Sequence, residues 1–279
     1  MKRVLFFILV FLACGTVVLA EDFTLTKTAV EQADVFGVMR RGGAGKSFQA
    51  IFRGDTVNSF SLGNNEIAFI GIHYKAKIGR GRVSIVENGK LVLDAVVTIV
   101  SKFPKREGPA TSFNLTIARN IEKAHQAIKE ACERSATAPL FTEVFHWPVA
   151  SVKIHNEPHG YFGASRGNRY HRGVDLESDL YDTVRAVNGG RVQLVGNFTK
   201  TLEGNTLIID HGYGILSMYL HLSNFLVKEG DVIVPGQAIA TVGKTGLQVV
   251  RPHLHFMIKM QRFSTVDPVK FMEFWEEYK

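Results

Sequence analysis

Short apolar runs, separated by turns rich in glycine and asparagine, fill residues 21–103 of the chain. Their length and their β-branched and aromatic content predict strands at residues 47–52, 68–72, 83–86 and 91–100. Asn88-Gly89 separates the last two runs and is typical of a tight β-hairpin. We therefore predict that this region is a β-sandwich domain.

The hydrophobic pattern changes between residues 104 and 139, where prolines bracket a segment with helical spacing. Five apolar residues recur there every three or four positions: Ile117, Ile121, Ala124, Ile128 and Ala131. Asn114 or Thr116 is placed to cap such a helix, and Cys132 is expected to be a small core-facing residue. We predict a connecting helix that packs on its neighbours, and a partner-binding helix is the alternative.

Residues 140–279 return to short strands punctuated by glycine, and helical periodicity resumes only at 269–276. The chain is therefore predicted to be mainly β. With 46% hydrophobic residues among 279, it can bury two cores of ordinary size.

The first 20 residues have the pattern of a secretory signal peptide. Lys2 and Arg3 precede an apolar run over residues 4–12, and small residues lead up to a cleavage position after Ala20. This apolar run is shorter than a membrane-spanning helix requires, so we expect no transmembrane segment in the mature chain. Cys14 leaves a lipid anchor open as an alternative. In either case the sequence predicts export to the periplasm or cell envelope.

Charge adds little to this picture. Removal of Lys2 and Arg3 with the signal peptide lowers the formal net charge by two, from +7 to +5. A moderately basic exported chain suits an anionic cell-wall surface. The sequence has no nucleic-acid-binding motif, so no nucleic acid partner is predicted. Only Cys132 remains after cleavage, which excludes an intramolecular disulfide.

Three short polar fragments in the last part of the chain carry candidate chemistry. They are HRGVD at 171–175, YLHL at 219–222 and PHLHF at 252–256. Together they offer two nitrogen ligands, one carboxylate ligand and two further imidazoles. A catalytic zinc site uses three protein ligands and keeps the fourth tetrahedral position for water, while spare imidazoles move protons near neutral pH. Apolar residues over 249–258 predict a strand, in which His253 and His255 project from the same side.

The segment from about Phe145 to the C-terminus resembles the lysostaphin/LytM-type zinc endopeptidases, which cut peptidoglycan cross-links. The matching motifs are FGASR (162–166), HRGVDL (171–176), VRAVNGG (184–190), GNTLIIDHG (204–212), YLHLS (219–223), GDVIVPGQ (230–237), VGKTG (242–246) and PHLHF (252–256). Their order and spacing agree with the family pattern. The predicted organisation is a signal peptide (1–20), a β-sandwich domain (21–103), a helical linker (104–139) and a LytM-type peptidase domain (140–279).

The resemblance implies a Zn²⁺ ion held by His171, Asp175 and His255, with His221 and His253 as catalytic residues. It implies an all-β peptidase domain of the barrel-sandwich hybrid kind, preceded by an immunoglobulin-like β-sandwich. The implied activity is hydrolysis of the peptide cross-links of peptidoglycan by metal-activated water, with stem peptides as the partner. Some relatives have lost ligands and activate cell-wall amidases. The alternative is therefore a non-hydrolytic cell-wall binding or amidase-activating module, although all five site residues are present here.

Arg251 stands where the family usually has glycine, two residues before His253. On an extended strand it would share a face with the histidines, and an arginine can bind a carboxylate through two hydrogen bonds. Arg251 is therefore a candidate substrate-binding residue, and a solvated charge at the rim is the alternative. His211 is expected to be structural. Three histidines in a proline-containing loop remain candidates for the groove wall: His146, His155 and His159.

Overall fold

The structure is a computed structural model that describes residues 17–18, 22–103, 113–142, 144–155, 159–166, 169–261 and 264–278. Most of the predicted signal peptide, including Cys14 and the cleavage position at Ala20, lies outside these residues. Within the described ranges, no helix is both long enough and apolar enough to cross a membrane.

The N-terminal region is built from two sheets of five strands. In the described part of residues 17–100 the strands are β1 (Val17–Val18), β2 (Phe23–Leu25), β3 (Ala29–Glu31), β4 (Val35–Arg40), β5 (Gln49–Phe52), β6 (Asp55–Asn58), β7 (Phe60–Leu62), β8 (Asn65–Gly71), β9 (Gly79–Glu87) and β10 (Lys90–Val100). Their orders are β1-β2-β4-β8-β7 and β3-β10-β9-β5-β6. The predicted β-rich N-terminal region is confirmed.

Alternating side chains from both sheets form the core of this region. Phe36 and Val38 of β4 and Val83 and Ile85 of β9 are buried in one apolar cluster. The predicted hairpin joins β9 to β10, and its two turn residues, Asn88 and Gly89, have φ values of 49° and 74°. Asparagine and glycine tolerate this left-handed conformation better than other residues, which explains why the chain reverses here.

The predicted connecting helix is α1 (Leu115–Glu133). The Asn114 side chain caps it by accepting a hydrogen bond from the Ile117 backbone N–H at 3.0 Å. Its buried side is formed by Ala124, Ile128, Ala131 and Cys132. Ile128, Ala131 and Cys132 form one apolar cluster with residues of the C-terminal sheet, among them Leu194, Ile208, Met218 and Met257. The helix therefore covers part of the face of that sheet.

The C-terminal region is also mainly β. Its elements are β11 (Ser165–Arg166), β12 (Arg169–Tyr170), β13 (Val174–Leu176), β14 (Thr183–Arg185), β15 (Gly190–Phe198), β16 (Gly204–Asp210), β17 (Leu216–Leu220), β18 (Val232–Ile233), β19 (Ala238–Thr241), β20 (Leu254–Met260), β21 (Ser264–Val266) and α2 (Pro268–Tyr278). The main sheet has the order β13-β20-β17-β16-β15-β18, with β21 paired to β20, and β11-β12 and β14-β19 form two small sheets.

The strand predicted over 249–258 begins later than the sequence suggested. It starts at Leu254, and Val250 is 80% exposed. The neighbouring strand β17 ends at Leu220, which lies opposite His255, so residues before Leu254 have no strand beside them on that side. Pro252 also lacks a backbone N–H to donate. His253 therefore lies in the loop just before the strand.

An aromatic cluster joins the N-terminal and C-terminal regions. The Trp275 ring of α2 lies 4.7 Å from the Phe69 ring of β8 and 4.9 Å from the Phe145 ring, measured between centroids. Phe274 meets Phe69 edge-on at 4.9 Å, a favourable geometry for aromatic pairs. The apolar core is thus continuous across the predicted boundary between residues 103 and 140, and that boundary remains a prediction.

Candidate metal centre

Three predicted ligands lie together where β13 and β20 pair. These strands are antiparallel, and their register places Asp175 directly opposite His255. His171 comes from the loop that enters β13. The atoms His171 Nε2, Asp175 Oδ1 and His255 Nδ1 lie within 3.0 Å of one another, and all three residues are buried. Two imidazole nitrogens and one carboxylate oxygen therefore converge, as a metal site with three protein ligands requires.

Neighbouring groups hold two of these side chains in orientation. His171 Nδ1 donates a hydrogen bond to the Tyr161 carbonyl at 2.9 Å, which leaves Nε2 with a free lone pair. Arg166 Nη2 donates to Asp175 Oδ2 at 2.8 Å, so the oxygen that faces away from the histidines is also satisfied. Gly173 permits the close approach of the two strands, because a Cβ there would lie 2.4 Å from the Phe256 carbonyl oxygen. The donor set is therefore preorganised and fits a metal ion.

The two predicted catalytic histidines stand beside this cluster. The His221 and His253 rings are 5.0 Å apart between centroids, and His221 is 5.7 Å from His255. His253 Nε2 lies 3.7 Å from Asp175 Oδ1. His221 Nδ1 donates to the Thr245 carbonyl at 3.1 Å, and His253 Nδ1 donates to the Arg251 carbonyl at 2.9 Å. Each ring thus has its Nδ1 fixed by a backbone oxygen and its Nε2 available for another partner.

Burial sets the protonation states at this centre. Burial, together with the neighbouring His255 and His253, lowers the pKa of His221 to about 3. Burial also lowers the pKa of His255 to about 4 and that of His253 below its usual range. Burial alone would raise the pKa of Asp175, but the His171 and His255 side chains in contact with its carboxylate hold it below its usual range. These residues therefore present an ionised carboxylate and neutral imidazoles at neutral pH.

The centre lies on the floor of an open groove of about 1040 Å³. His155 lines this groove, and its ring stacks on His253 with centroids 5.1 Å apart and planes 1° apart. Arg251 also lines the groove and is exposed, but it reaches the rim from the loop and not from the strand face that the sequence suggested. His146 and His159 are not among the lining residues within the described ranges. His211 is fully buried and hydrogen-bonds to the Gly189 carbonyl and the Ser217 hydroxyl.

Sequence reasoning missed two contributors to the groove. Arg166 belongs to the FGASR motif, but nothing in the sequence indicated that it would contact Asp175. The second contributor is a pair that joins α1 to the start of β16: His125 Nε2 lies 2.9 Å from Glu203 Oε1. Burial raises the pKa of Glu203, but the adjacent His125 and Thr201 side chains lower it to about 2.

The C-terminal region is thus mainly β and carries a convergent set of nitrogen and oxygen donors on the floor of an open groove, which defines a candidate metal site. Residues 169–268 match the family model described as Peptidase family M23. This part of the chain is therefore an M23, or LytM-type, domain. The crystal structure of a peptidase M23 from Pseudomonas aeruginosa covers 85% of this chain and 92% of its own, with a TM-score of 0.65 and 23% identity, which supports the fold.

Curated relatives match the same part of the chain. The protein named "Murein hydrolase activator NlpD" from Salmonella dublin is 34% identical over 142 residues, which are 51% of this chain and 34% of the relative. The protein named "Peptidoglycan DD-endopeptidase ShyB" from Vibrio cholerae is 36% identical over 100 residues, which are 36% of this chain and 22% of the relative. The chain thus matches about a third or less of the length of these two relatives.

Proposed function

We propose that this protein is an exported zinc endopeptidase that hydrolyses peptide cross-links of peptidoglycan. The observation that carries the proposal is the convergence of His171 Nε2, Asp175 Oδ1 and His255 Nδ1 within 3.0 Å, with two further imidazoles beside them in an open groove. Two nitrogens and one carboxylate oxygen are ligands that suit Zn²⁺. When bound, the ion would supply Lewis-acid activation of water and of the scissile carbonyl group.

The remaining steps are assigned to residues of the chain. His253 lies at the mouth of the donor set and is neutral, so it is placed to accept a proton from the attacking water. His221 has its Nδ1 proton engaged by Thr245, and its Nε2 is free to exchange a proton with the substrate. The proton that His253 takes from the water would pass to Nε2 of His221, which would then donate to the negatively charged carbonyl oxygen and return the proton to the leaving amine. The two histidines could exchange these roles.

Digestion of purified sacculi by the full chain tests the proposal. We expect soluble fragments whose masses correspond to hydrolysis of a peptide bond between stems. His171→Ala and His255→Ala should lose both stoichiometric zinc and this release, because two remaining ligands rarely hold zinc tightly. Undiminished zinc in both variants would contradict the ligand assignment. Intact sacculi after treatment with zinc-loaded parent protein would contradict the activity.

The second candidate is a non-hydrolytic module that activates an amidase. It is favoured by the similarity of this chain to the murein hydrolase activator NlpD. The same digestion separates the two candidates when an amidase is added. An activator would increase the release of whole stem peptides from the glycan and would cut no peptide bond alone. The presence of all five site residues in this chain favours the hydrolytic alternative.

A further inference from the structure

The charges that line the groove are not balanced. Each of its carboxylates has a partner: Asp175 with Arg166, Glu177 with Lys153, and Glu203 with His125. Lys259 and Arg172 also line the groove, but neither has an ion pair or a side-chain hydrogen bond with any residue that the structure describes. Together with Arg169 and Arg251, which likewise have no ion pair among the described residues, they are cations of the groove lining that no carboxylate neutralises.

Lys259 lies on the same strand face as the metal centre. Side chains alternate along β20, so His255, Met257 and Lys259 all point to the groove. At about 3.3 Å per residue, Lys259 is roughly 13 Å along the strand from His255. It is partly buried, which lowers its pKa, and the nearby Arg172 lowers it further.

The N-terminal region brings a third group, His73, near Lys259 and Arg172, although His73 does not itself line the groove. Gly71 at the end of β8 packs so closely that a Cβ there would lie 2.8 Å from the Met260 Cβ, and this contact carries His73 towards β20. Burial and the charges of Lys259, Lys75 and Arg172 lower the pKa of His73 to about 4. His73 Nδ1 accepts a hydrogen bond from the Lys75 backbone N–H at 3.0 Å. The neutral ring therefore carries its proton on Nε2, where it can be donated.

A partly buried lysine next to a second, exposed cation is unfavourable unless an anion lies between them. We propose that Lys259 and Arg172, assisted by His73, form an anion site that binds a carboxylate of the peptidoglycan stem peptide. An extended peptide covers about 3.3–3.6 Å per residue, so the carboxylate would lie three to four residues from the bond at the metal centre. The inference rests on the proposed function for the identity of its ligand, and it gives the N-terminal region a part in substrate recognition.

Binding of an uncut stem tetrapeptide, measured by calorimetry at low salt with the zinc-loaded full chain, tests the inference without turnover. The probe is compared with the same tetrapeptide whose carboxylates are amidated. We expect the parent protein to bind the free carboxylate form about ten- to a hundredfold more tightly, as a charge-assisted hydrogen bond permits. Lys259→Met should lose most of this preference. Lys200→Met, which removes an exposed lysine outside the groove lining, should keep it.

Two further readouts keep the test decisive. Lys259→Met should melt no lower than the parent, because it removes a partly buried charge without a partner. A lower melting temperature would mean that Lys259 has a partner in the fold and would overturn the inference. Arg172→Met should also reduce the preference for the free carboxylate form. If Lys259→Met and Arg172→Met both keep the full preference, the inference is overturned. The proposed function would still stand in that case, provided that the protein cleaves sacculi. Binding that depends on Lys259, without any cleavage, would support the anion site and refute the endopeptidase.

Discussion

Replacement of Arg166 by methionine should weaken zinc binding although Arg166 is not a ligand. The guanidinium donates to Asp175 Oδ2 at 2.8 Å, and the Asp175 side chain is only 7% exposed. Methionine keeps the aliphatic length of the side chain and removes the donor. The buried carboxylate then loses the hydrogen bond that fixes the oxygen facing away from His171 and His255.

The magnitude follows from two opposing effects. A buried acceptor without a donor costs about 1–3 kcal/mol, and loss of a group that orients a ligand typically lowers metal affinity about 10–100-fold. Removal of the positive charge would make Asp175 a stronger donor to the metal, which acts in the other direction. Because the Arg166 side chain is 40% exposed, solvent screens this charge effect, and the loss of orientation should dominate. We therefore expect the zinc affinity to fall about tenfold, at the lower end of that range.

Competition with a chelator of known affinity measures the zinc dissociation constant of the parent, Arg166→Met and Arg169→Met. Arg169 lines the same groove, is exposed and has no described contact with Asp175, so it controls for the loss of a positive charge. Only the Arg166 variant should release zinc more readily. Equal constants for all three proteins, or equal weakening in both variants, would refute the reasoning.

Three other outcomes are expected. His221→Ala and His253→Ala should retain zinc but lose sacculus hydrolysis by a factor of about 100 to 10,000, and parental rates in both would contradict their roles. Arg251→Ala should raise the KM for cross-linked stem peptides about two- to tenfold without changing the zinc content. Amidation of the substrate carboxylates should abolish the difference in KM between this variant and the parent. An unchanged KM would leave Arg251 as a surface charge. A fragment of residues 141–279 should fold and bind zinc but melt below the full chain, because α2 loses its contacts with the N-terminal sheet and the main sheet loses the cover of α1. Absence of cooperative unfolding would show that the boundary is misplaced.

The local parts of this architecture were predictable because they depend on neighbours in sequence. The helical spacing and the Asn114 cap predicted α1, and Asn88-Gly89 predicted the hairpin between β9 and β10. The mainly β fold class followed from the short apolar runs, and it is confirmed. In each case a few adjacent residues contain the physical cause, namely periodic burial, a capping oxygen or a left-handed turn.

Contacts distant in sequence were not predictable in the same way. The pairing of Asp175 with His255 spans 80 residues and depends on the order of strands in the sheet. Because β17 ends at Leu220, residues before Leu254 have no neighbouring strand on that side. The apolar pattern of residues 249–258 does not indicate where the neighbouring strand ends. The helical periodicity at residues 269–276 indicated α2, but not that this helix would pack on Phe69 of the N-terminal sheet. Arg166 was visible as part of a motif, while its partner was not.

The most direct test of the central claim is the rate of cross-link cleavage as zinc is added to the metal-free full chain. Purified sacculi serve as the substrate, and mass spectrometry identifies the released fragments. If His171, Asp175 and His255 hold a single zinc ion that is needed for hydrolysis, the rate should rise in proportion to added zinc and level off at one equivalent. A rate that does not depend on zinc, or no cleavage at one equivalent, would contradict the account.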